Sequence, residues 1–425
     1  MVRGVGRVLS EYWTQVRGSG RNPKLYLVGV FLFGLGQSMF TLIFNLYLRS
    51  LGYTDSGIGQ ILSKVSIGAA VAALPAAFLF RRAPARALLV LAGALTALGY
   101  TLQATFRAPE LLLLLSFVTG MVITVFRLSI APVIMRETGS SARPFLFSAA
   151  FGVLFASAIV GSIVGGALPR FFHAFLGEEQ AALRATLYVG CVLTLLSSVP
   201  FFAMTEPAGS GTRLPPTALM QIRDFLEIDW GLHLRLLLPA ALVGLGAGLI
   251  IPFMNLYFRD RFGLSEGEIG ALFAVMQGFM VVGNLFGPAV SRRIGLVGGV
   301  VATQLASVPF MVVLALSGNF PLVAAAFFLR SGLMNMNQPL ASHFAMEVVS
   351  ERDHAVTNSL LSLAWFLAWS LSADIGGALI ERKGYTEPLL IAAGLYVAAS
   401  ILYWVFFKDV EEASVPRSEV EIPEA

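Results

Sequence analysis

Charged residues, cysteine and histidine are scarce in this chain. Only 13% of its 425 residues are Asp, Glu, Lys or Arg, which is about half of the share that is usual in soluble domains. The single cysteine, Cys191, cannot form a disulfide within the chain, and the four histidines do not show the spacing of metal ligands. We therefore expect no disulfide framework, no metal site and no cofactor.

Long apolar runs dominate the sequence instead. Apolar residues make up 56% of the chain, and the mean hydropathy is +0.77. Twelve runs are each long enough to cross ~30 Å of hydrocarbon as a helix. The sequence thus predicts an all-α integral membrane protein with twelve transmembrane helices. In chain order, the predicted spans are Leu25–Leu48, Gly57–Phe80, Ala87–Thr105, Leu111–Met135, Phe145–Pro169, Ala185–Met204, Leu234–Phe258, Glu268–Val290, Leu296–Leu316, Pro321–Met346, Thr357–Ile380 and Pro388–Phe407.

The basic residues indicate how the chain is oriented. With the N-terminus inside, 18 of the 29 Lys and Arg residues fall on the inner side, 8 on the outer side and 3 within spans. This excess predicts cytoplasmic N- and C-termini in a multi-pass protein of the cell (inner) membrane. The net charge of +4 arises from basic residues that are distributed according to the side of the membrane, so we expect no nucleic-acid partner. Polar and basic residues precede the first span, which does not resemble a cleavable signal peptide.

A repeat divides the chain in two. Residues 45–49, Asn-Leu-Tyr-Leu-Arg, return 210 positions later as Asn-Leu-Tyr-Phe-Arg at 255–259. Gly34-Leu35-Gly36 matches 244–246 at the same offset, and Gly-Gly-Ala-Leu at 165–168 matches 376–379. Two copies of one long apolar unit predict two six-helix bundles related by pseudo-twofold symmetry, with a substrate site between them.

The repeat and the polar joints suggest five segments. The first, residues 1–24, is a cytoplasmic tail whose apolar three-four spacing and basic residues fit a helix lying on membrane lipid; a frayed tail is the alternative. The bundles occupy residues 25–204 and 234–408, joined by a Gly/Ser/Pro-rich cytoplasmic linker at 205–233. We expect the acidic tail at 409–425 to be disordered.

Twelve spans, a six-plus-six repeat and a long cytoplasmic joint resemble the major facilitator superfamily. That family typically carries Gly-x-x-x-Asp-Arg-x-Gly-Arg-Arg between spans two and three. Here Arg81-Arg82 and Arg292-Arg293 match its arginine pairs, whereas the Asp is missing from both loops. The glycines of span five are similar to those of the family's antiporters, although close helix packing explains the same spacing. The resemblance implies a secondary transporter in which spans two and eleven face each other across the halves.

Span ten carries the strongest candidates for a substrate site. A charge at membrane depth is costly and therefore marks a functional site by default, and Arg330 lies close to the midplane of this span. A span this polar must face a wet cavity or other helices, so an interhelical hydrogen-bond network is the alternative. In spans one and four, Gln37 is a candidate cavity-lining residue, and Arg127 either meets substrate or extends to the interface. The predicted substrate-binding residues are Arg330, Asn335, Asn337, Gln338, Gln37 and Arg127.

Three other residues are candidates for gating or coupling. Lys64 in span two and Asp374 in span eleven lie at matching depths, which suggests a salt bridge that closes the outer side; contacts within each half or with water are the alternative. Coupling to protons needs a titratable group at depth, for which Asp374 is the first candidate and His343 the second. Uniport and substrate exchange remain open.

The excess of buried cations predicts the substrate. Three cations lie within the spans against one anion, so a carboxylate, phosphate or sulfate would supply the missing charge. Aromatic residues such as Trp365 and Trp369 would also suit an amphiphile. We expect a monomeric transporter of a small organic solute working by alternating access, embedded in membrane lipid, with protons as a candidate coupling ion. Multidrug efflux by proton antiport and a transporter-like receptor are the alternatives, whereas the nucleophile or metal cluster of an enzyme is not found.

Overall fold

The computed structural model describes residues 18–138, 142–205 and 228–414, and all regular structure in them is helical. Three of the twelve spans are divided into shorter helices. Span four consists of Pro109–Arg127 and Ile130–Glu137, and span six of Glu179–Leu196 and Ser198–Phe202. Span seven runs through Trp230–Ile250, a short 3-10 turn at Ile251–Phe253, and Met254–Phe262. The undivided spans are one, Arg21–Ser50; two, Asp55–Arg82; three, Ala85–Thr105; five, Arg143–Leu176; eight, Glu266–Ile294; nine, Leu296–Leu316; ten, Phe320–Val348; eleven, His354–Lys383; and twelve, Thr386–Ser414.

Eleven helical segments of the described residues are long and apolar enough to cross a membrane. They correspond to every span except span ten, Phe320–Val348. Span ten has the length to cross, with 29 residues, but its arginine, amides and hydroxyls lower its hydropathy. A helix of this composition is stable at membrane depth only where protein or water faces its polar side. The chain is therefore a multi-pass membrane protein with one unusually polar helix.

The predicted segment boundaries differ from the observed helix ends at the linker and at the last helix. Residues 1–17, which contain most of the proposed surface helix, lie outside the described residues, as do 206–227 of the linker. Span seven already begins at Trp230, within the segment assigned to the linker, because Asp229 caps it by accepting bonds from the Gly231 and Leu232 amides. The last helix continues to Ser414, beyond the predicted end at residue 408, and residues 415–425 are outside the described part.

Helix packing follows the sequence repeat. In the first half, span one packs against spans five and six, span two against span four, and span three against spans four and six. The second half repeats this arrangement six spans later, with seven against eleven and twelve, eight against ten, and nine against ten and twelve. Between the halves, span two packs on span eleven and span five on span eight. Those two seams are exchanged by the same pseudo-twofold relation.

The two faces of the molecule differ in how the halves meet. We call the face with the ends of the described chain, at spans one and twelve, the terminal face, and the opposite one the distal face. The turns after spans one and seven lie at the distal face, where Gly52 (φ 88°) and Gly263 (φ 66°) adopt the left-handed conformation. Thr54 caps the helix that follows the first turn, and a Ser265–Glu268 capping box begins the helix after the second.

Repeat-related glycines close the distal face. A Cβ on Gly166 of span five would stand 2.5 Å from the carbonyl oxygen of Glu266 and 2.9 Å from the Cα of Gly270. A Cβ on Gly377 of span eleven would overlap the carbonyl of Asp55 in the same manner and stand 3.2 Å from the Cα of Gly59. Backbone therefore meets backbone in both seams. Gly161 and Gly165 of span five likewise pack closely on span one, whereas a Cβ on Gly152 would meet nothing within 4 Å.

Candidate functional site

A cavity lies between the two halves and faces the terminal side. It has an N-terminal lobe of about 600 Å³ and a C-terminal lobe of about 630 Å³, each within the range typical of small-molecule sites. The C-terminal lobe extends toward the terminal face as far as Leu236, Ala345 and Asn358. The wall common to both lobes is formed by Arg127, Ile251, Phe273, Met276, Trp365, Phe366 and Trp369.

All six predicted substrate-binding residues line this cavity. Gln37 lies in the N-terminal lobe, Arg127 is common to both lobes, and the other four lie in the C-terminal lobe. Span ten thus turns its polar side toward the cavity, as its mixed composition requires. The two asparagines of span ten are also tied to neighbouring helices: Asn335 Nδ2 donates to the Met280 carbonyl at 3.1 Å, and Asn337 Nδ2 to the Val300 carbonyl at 2.8 Å. Gln338 remains exposed to the cavity.

Arg330 is the most deeply held charge of the site. Its side chain is buried, with 5% of its surface exposed. The guanidinium donates from Nη2 to the hydroxyl of Tyr396 at 2.8 Å, and its Cζ stands 5.7 Å from the centre of that ring. Tyr396 is itself held through its carbonyl, which accepts from Gln304 Nε2 at 3.1 Å. These partners are neutral, so they orient the guanidinium without cancelling its charge.

Arg127 is the second cation of the cavity. It ends the first helix of span four, and its side chain is exposed to the cavity rather than packed in a core. Position and exposure therefore place it on the cavity wall and not at the membrane interface. Tyr100, stacked on Phe40 with ring centroids 3.8 Å apart, lines the same lobe.

The remaining polarity of the N-terminal lobe is uncharged. Gln37, Ser38, Thr41 and Gln277 line it, together with Gln103, which donates to Thr119 at 2.9 Å. Gln103, Gln304 and Tyr396, which come from the uncharged spans three, nine and twelve, also reach the cavity. Their position on the cavity could not be read from the sequence, because uncharged amides and a phenol at membrane depth can form hydrogen bonds with neighbouring helices. Such groups also lower the hydropathy of a span only slightly.

The predicted Lys64–Asp374 salt bridge is not formed. No ion pair joins these residues in the part of the chain that the structure describes; both side chains are half-buried and lie outside the lining of the two lobes. In sequence, each directly follows a residue of the seam between spans two and eleven: Lys64 follows Ser63, and Asp374 follows Ala373. The seam itself is filled by small groups: Ser63 and Ser370 share a hydrogen bond of 2.8 Å, and Gly59 packs on Ala373. This close approach leaves the charged side chains beside the contact.

His343 also lies away from the cavity lining. It is 64% exposed near the terminal end of span ten and lies 3.2 Å from Glu347, one turn further on. Of the arginine pairs that resemble the loop motif, Arg82, Arg292 and Arg293 are exposed, and the side chain of Arg81 is outside the described part. The end of span two is held by Arg136, whose Nη2 donates to the Phe80 carbonyl.

The repeat-related asparagines were not expected to meet, yet they join the halves directly. Asn45 Nδ2 donates to the Pro252 carbonyl at 2.6 Å and to Asn255 Oδ1 at 3.1 Å. Asn255 Nδ2 returns a bond of 2.8 Å to the Leu42 carbonyl. Positions 42 and 252 are 210 apart, as are 45 and 255, so the two asparagines exchange equivalent bonds. The repeat itself was the signal that would have predicted this pair.

Repeat-related arginines surround the pair at the distal face. Arg49 contacts Asp55 of its own half and lies 3.3 Å from Asp260 of the other. Arg259 likewise pairs with Glu266 of its own half, at 3.1 Å, and with Glu179 of the other. Asp55 and Glu266, the first residues of spans two and eight, therefore take part in closing this face.

A tyrosine completes the ionic contacts of the distal face. Tyr385 donates to Asp260 at 2.8 Å. Burial, with the Asp260 carboxylate nearby, raises the pKa of the Tyr385 hydroxyl, so it stays protonated and remains a donor.

Within the described residues, no group of three or more His, Cys, Asp or Glu side chains is placed to hold a metal ion.

The Major Facilitator Superfamily model matches residues 26–296 and 236–424 of this chain. Among curated proteins, none matches the chain in sequence.

Solved structures share the fold at low sequence identity. A mutant of the nucleoside transporter NupG has a TM-score of 0.76 and 13% identity over 91% of this chain and 100% of its own. A bacterial homologue of the human lysosomal transporter Spinster, inward-facing and occupied, has a TM-score of 0.74 and 14% identity over 90% and 95%. A bacterial homologue of the iron transporter ferroportin, inward-facing, has a TM-score of 0.70 and 15% identity over 91% and 98%. At such identities the likeness shows the fold alone.

Proposed function

The chain belongs to the major facilitator superfamily, and we propose that it is a secondary transporter whose substrate is a small organic anion, including anionic amphiphiles. The observation that carries this proposal is the charge of the cavity. Its described lining includes two guanidinium groups, Arg127 and Arg330, and no Asp or Glu side chain. A carboxylate, phosphate or sulfate is the ligand that such a site favours.

The apolar part of the cavity supports an amphiphilic substrate. Trp365 and Trp369, with ring centroids 5.9 Å apart, lie in the wall that the two lobes share. Met276 and Phe366 extend this wall, so a flat or flexible apolar body can pack there while its anionic group meets the guanidinium groups. Each lobe is large enough for a molecule of drug size.

Closed and open faces support transport by alternating access. The distal face is closed by glycine seams and by the asparagine pair, whereas the cavity faces the terminal side. We take the terminal face as cytoplasmic because Lys and Arg are concentrated in the loops on that side. The molecule is then inward-facing, like the named state of the Spinster homologue. In this proposal it is a monomer in the cell membrane, with both termini inside.

A thermal-shift screen of purified protein tests the substrate class. Organic anions, cationic drugs, sugars and lysolipids are added in turn to the wild type and to Arg330→Gln. We expect stabilisation by anions, lost in the variant, because only a bound ligand that interacts with Arg330 raises the melting temperature in this way. Stabilisation by cations alone, unchanged in Arg330→Gln, would overturn the anion proposal.

Multidrug efflux by proton antiport is a weaker candidate. It needs a titratable acid that meets the substrate, and Asp374 and His343 both lie outside the cavity lining. A transporter-like receptor would share the binding site. Counterflow of a stabilising anion in liposomes separates a carrier, which moves it, from a receptor, which does not.

A further inference from the structure

The charges of the cavity are not balanced by the protein. Both lobes together are lined, within the described residues, by two arginines and by no aspartate, glutamate, lysine or histidine. Arg330 is held by the neutral hydroxyl and ring of Tyr396. The Arg127 side chain is exposed in the cavity, which is open to solvent at the terminal side in this conformation. Solvent, rather than a carboxylate, therefore screens the Arg127 charge when the cavity is empty, whereas Arg330 is already buried among neutral groups.

The solvent exposure of Arg127 changes during alternating access. Between the terminal-open and distal-open states, the cavity passes through a state closed to both sides. Closing it removes water from Arg127 while Arg330 is already buried. Taking an unpaired charge out of water is strongly unfavourable, and two like charges in one dry cavity also repel each other. The closed state of the empty protein is therefore high in free energy, whereas an anion between the guanidinium groups removes both costs.

We propose that the transporter is an obligatory anion exchanger, in which Arg127 and Arg330 allow the cavity to close only around a bound anion. This inference rests on the proposed function and adds its mode of coupling. An anion carried in one direction must be replaced by an anion carried back, since the empty protein rarely closes. The charge of the ligand, rather than a protonatable residue of the protein, then links the two half-cycles.

The chain is well suited to a direct test of this mode. Cys191 is its only cysteine, so a Cys191→Ser background accepts two specific labels. Glu110 and Gly318 are exposed at the distal face in different halves, and a Cβ at Gly318 meets no neighbour within 4 Å. Single-molecule FRET between labels on Glu110→Cys and Gly318→Cys reports each opening of the distal face. The measured quantity is the dwell time in the terminal-open state.

The expected result is a long dwell in the empty protein and a short one with an anion. Phenyl phosphate and benzoate are the anionic probes, so a phosphate and a carboxylate site are distinguished, and benzylamine is the cationic probe. The double variant Arg127→Gln/Arg330→Gln should show a dwell at least about tenfold shorter than the wild type with no ligand at all. Because this comparison of dwell times uses no ligand, it does not depend on identifying the natural substrate.

Two control variants isolate the charge. Arg127→Lys/Arg330→Lys keeps both positive charges and should keep the long dwell. Arg235→Gln removes an exposed charge outside the cavity lining and should also leave the dwell unchanged. Equal dwell times for the empty wild type and the double Gln variant would overturn obligatory exchange while leaving the transporter proposal standing. If neither protein ever left the terminal-open state, alternating access itself would be overturned.

Discussion

The distal closure and the central cavity follow the internal repeat to very different degrees. At the distal face, Asn45 and Asn255, Arg49 and Arg259, and the glycine seams obey the offset of 210 or 211 positions. In the cavity, neither arginine has a basic counterpart. The positions 210 to 212 before Arg330 are Gly120, Thr119 and Val118, and those after Arg127 are Asn337, Gln338 and Pro339.

This difference distinguishes the requirements of closing the two bundles from the requirements of binding a substrate. Two equivalent bundles meet by surfaces that complement each other about the pseudo-twofold axis, so the asparagine bonds and the glycine contacts are each present twice. The acids that Arg49 and Arg259 contact across the halves, Asp260 and Glu179, do not follow the repeat. A substrate has no such symmetry. One lobe can therefore carry the deeply held charge while the other carries uncharged amides and hydroxyls. We therefore expect substitutions at repeat-related positions of the distal face to have similar effects, whereas substitutions in the two lobes of the cavity should differ in effect.

The largest effect is expected for Arg330→Gln. The change removes a buried positive charge and its charge-assisted bonds, which contribute about 1.5–3 kcal/mol each. We expect anion affinity to fall by about 10- to 100-fold and transport to be abolished, with folding intact. Titration of the anions that stabilise the wild type measures this. Gln37→Ala, the matched change in the uncharged lobe, should weaken binding far less; an equal loss would remove the asymmetry between lobes.

Gly166→Val and Gly377→Val should each prevent distal closure. The new side chains meet backbone that cannot rotate away, which typically costs about 1–3 kcal/mol. Because the two glycines occupy equivalent places in the two seams, the shifts toward the distal-open state should be similar. The FRET pair on Glu110 and Gly318 reads this population. Gly394→Val is the control, since a Cβ there meets nothing within 4 Å.

The asparagine pair should behave as one unit. Asn45→Leu and Asn255→Leu each break the bonds that the two residues share, so the double variant should lose little more than either single one. We expect a coupling free energy of about 1–2 kcal/mol in a double-mutant cycle on thermal stability. Additive losses would show that the pair does not hold the halves together.

Tyr396→Phe should have a smaller effect. It removes the hydroxyl that accepts from Arg330 and keeps the ring, so it loosens the guanidinium without changing the charge of the cavity. A neutral hydrogen-bond partner contributes about 1 kcal/mol, and we expect anion affinity to fall about fivefold. The same titration used for Arg330→Gln measures the change. A loss as large as that of Arg330→Gln would mean that Tyr396 contacts the substrate itself.

No coupling is expected between Lys64 and Asp374. Since the structure does not pair them, neutralising both should cost the sum of the single losses, within about 0.5 kcal/mol. The sequence had suggested the opposite. A strong coupling, measured on thermal stability, would place the pair in another conformation of the cycle.

The sequence predicted the fold and the position of the cavity more fully than it predicted the contacts. Apolar runs and the repeat are properties of the whole chain, and a charge such as Arg330 has few places to lie in a membrane protein. Whether two side chains meet depends on helix rotation, which matching depth does not determine. Lys64 and Asp374 therefore do not pair, whereas Asn45 and Asn255, which the sequence marks only as members of the repeat, meet across the axis.

Tyr396 was missed for a related reason. It lies in a span without charge, where a tyrosine is typical of a packed core or of the membrane interface. Only its contact with Arg330 makes it part of the site. The uncharged lining from spans three and nine was hidden in the same way, because glutamines in apolar helices do not indicate on which side they lie.

A structure of the protein with a bound anion tests the central claim most directly. With phenyl phosphate present at saturation, we expect its phosphate oxygens within hydrogen-bond distance of Arg330 in the C-terminal lobe, and its ring against the Trp365–Trp369 wall. An anion bound elsewhere with this lobe unoccupied, or a cation such as benzylamine bound beside Arg330, would contradict the account.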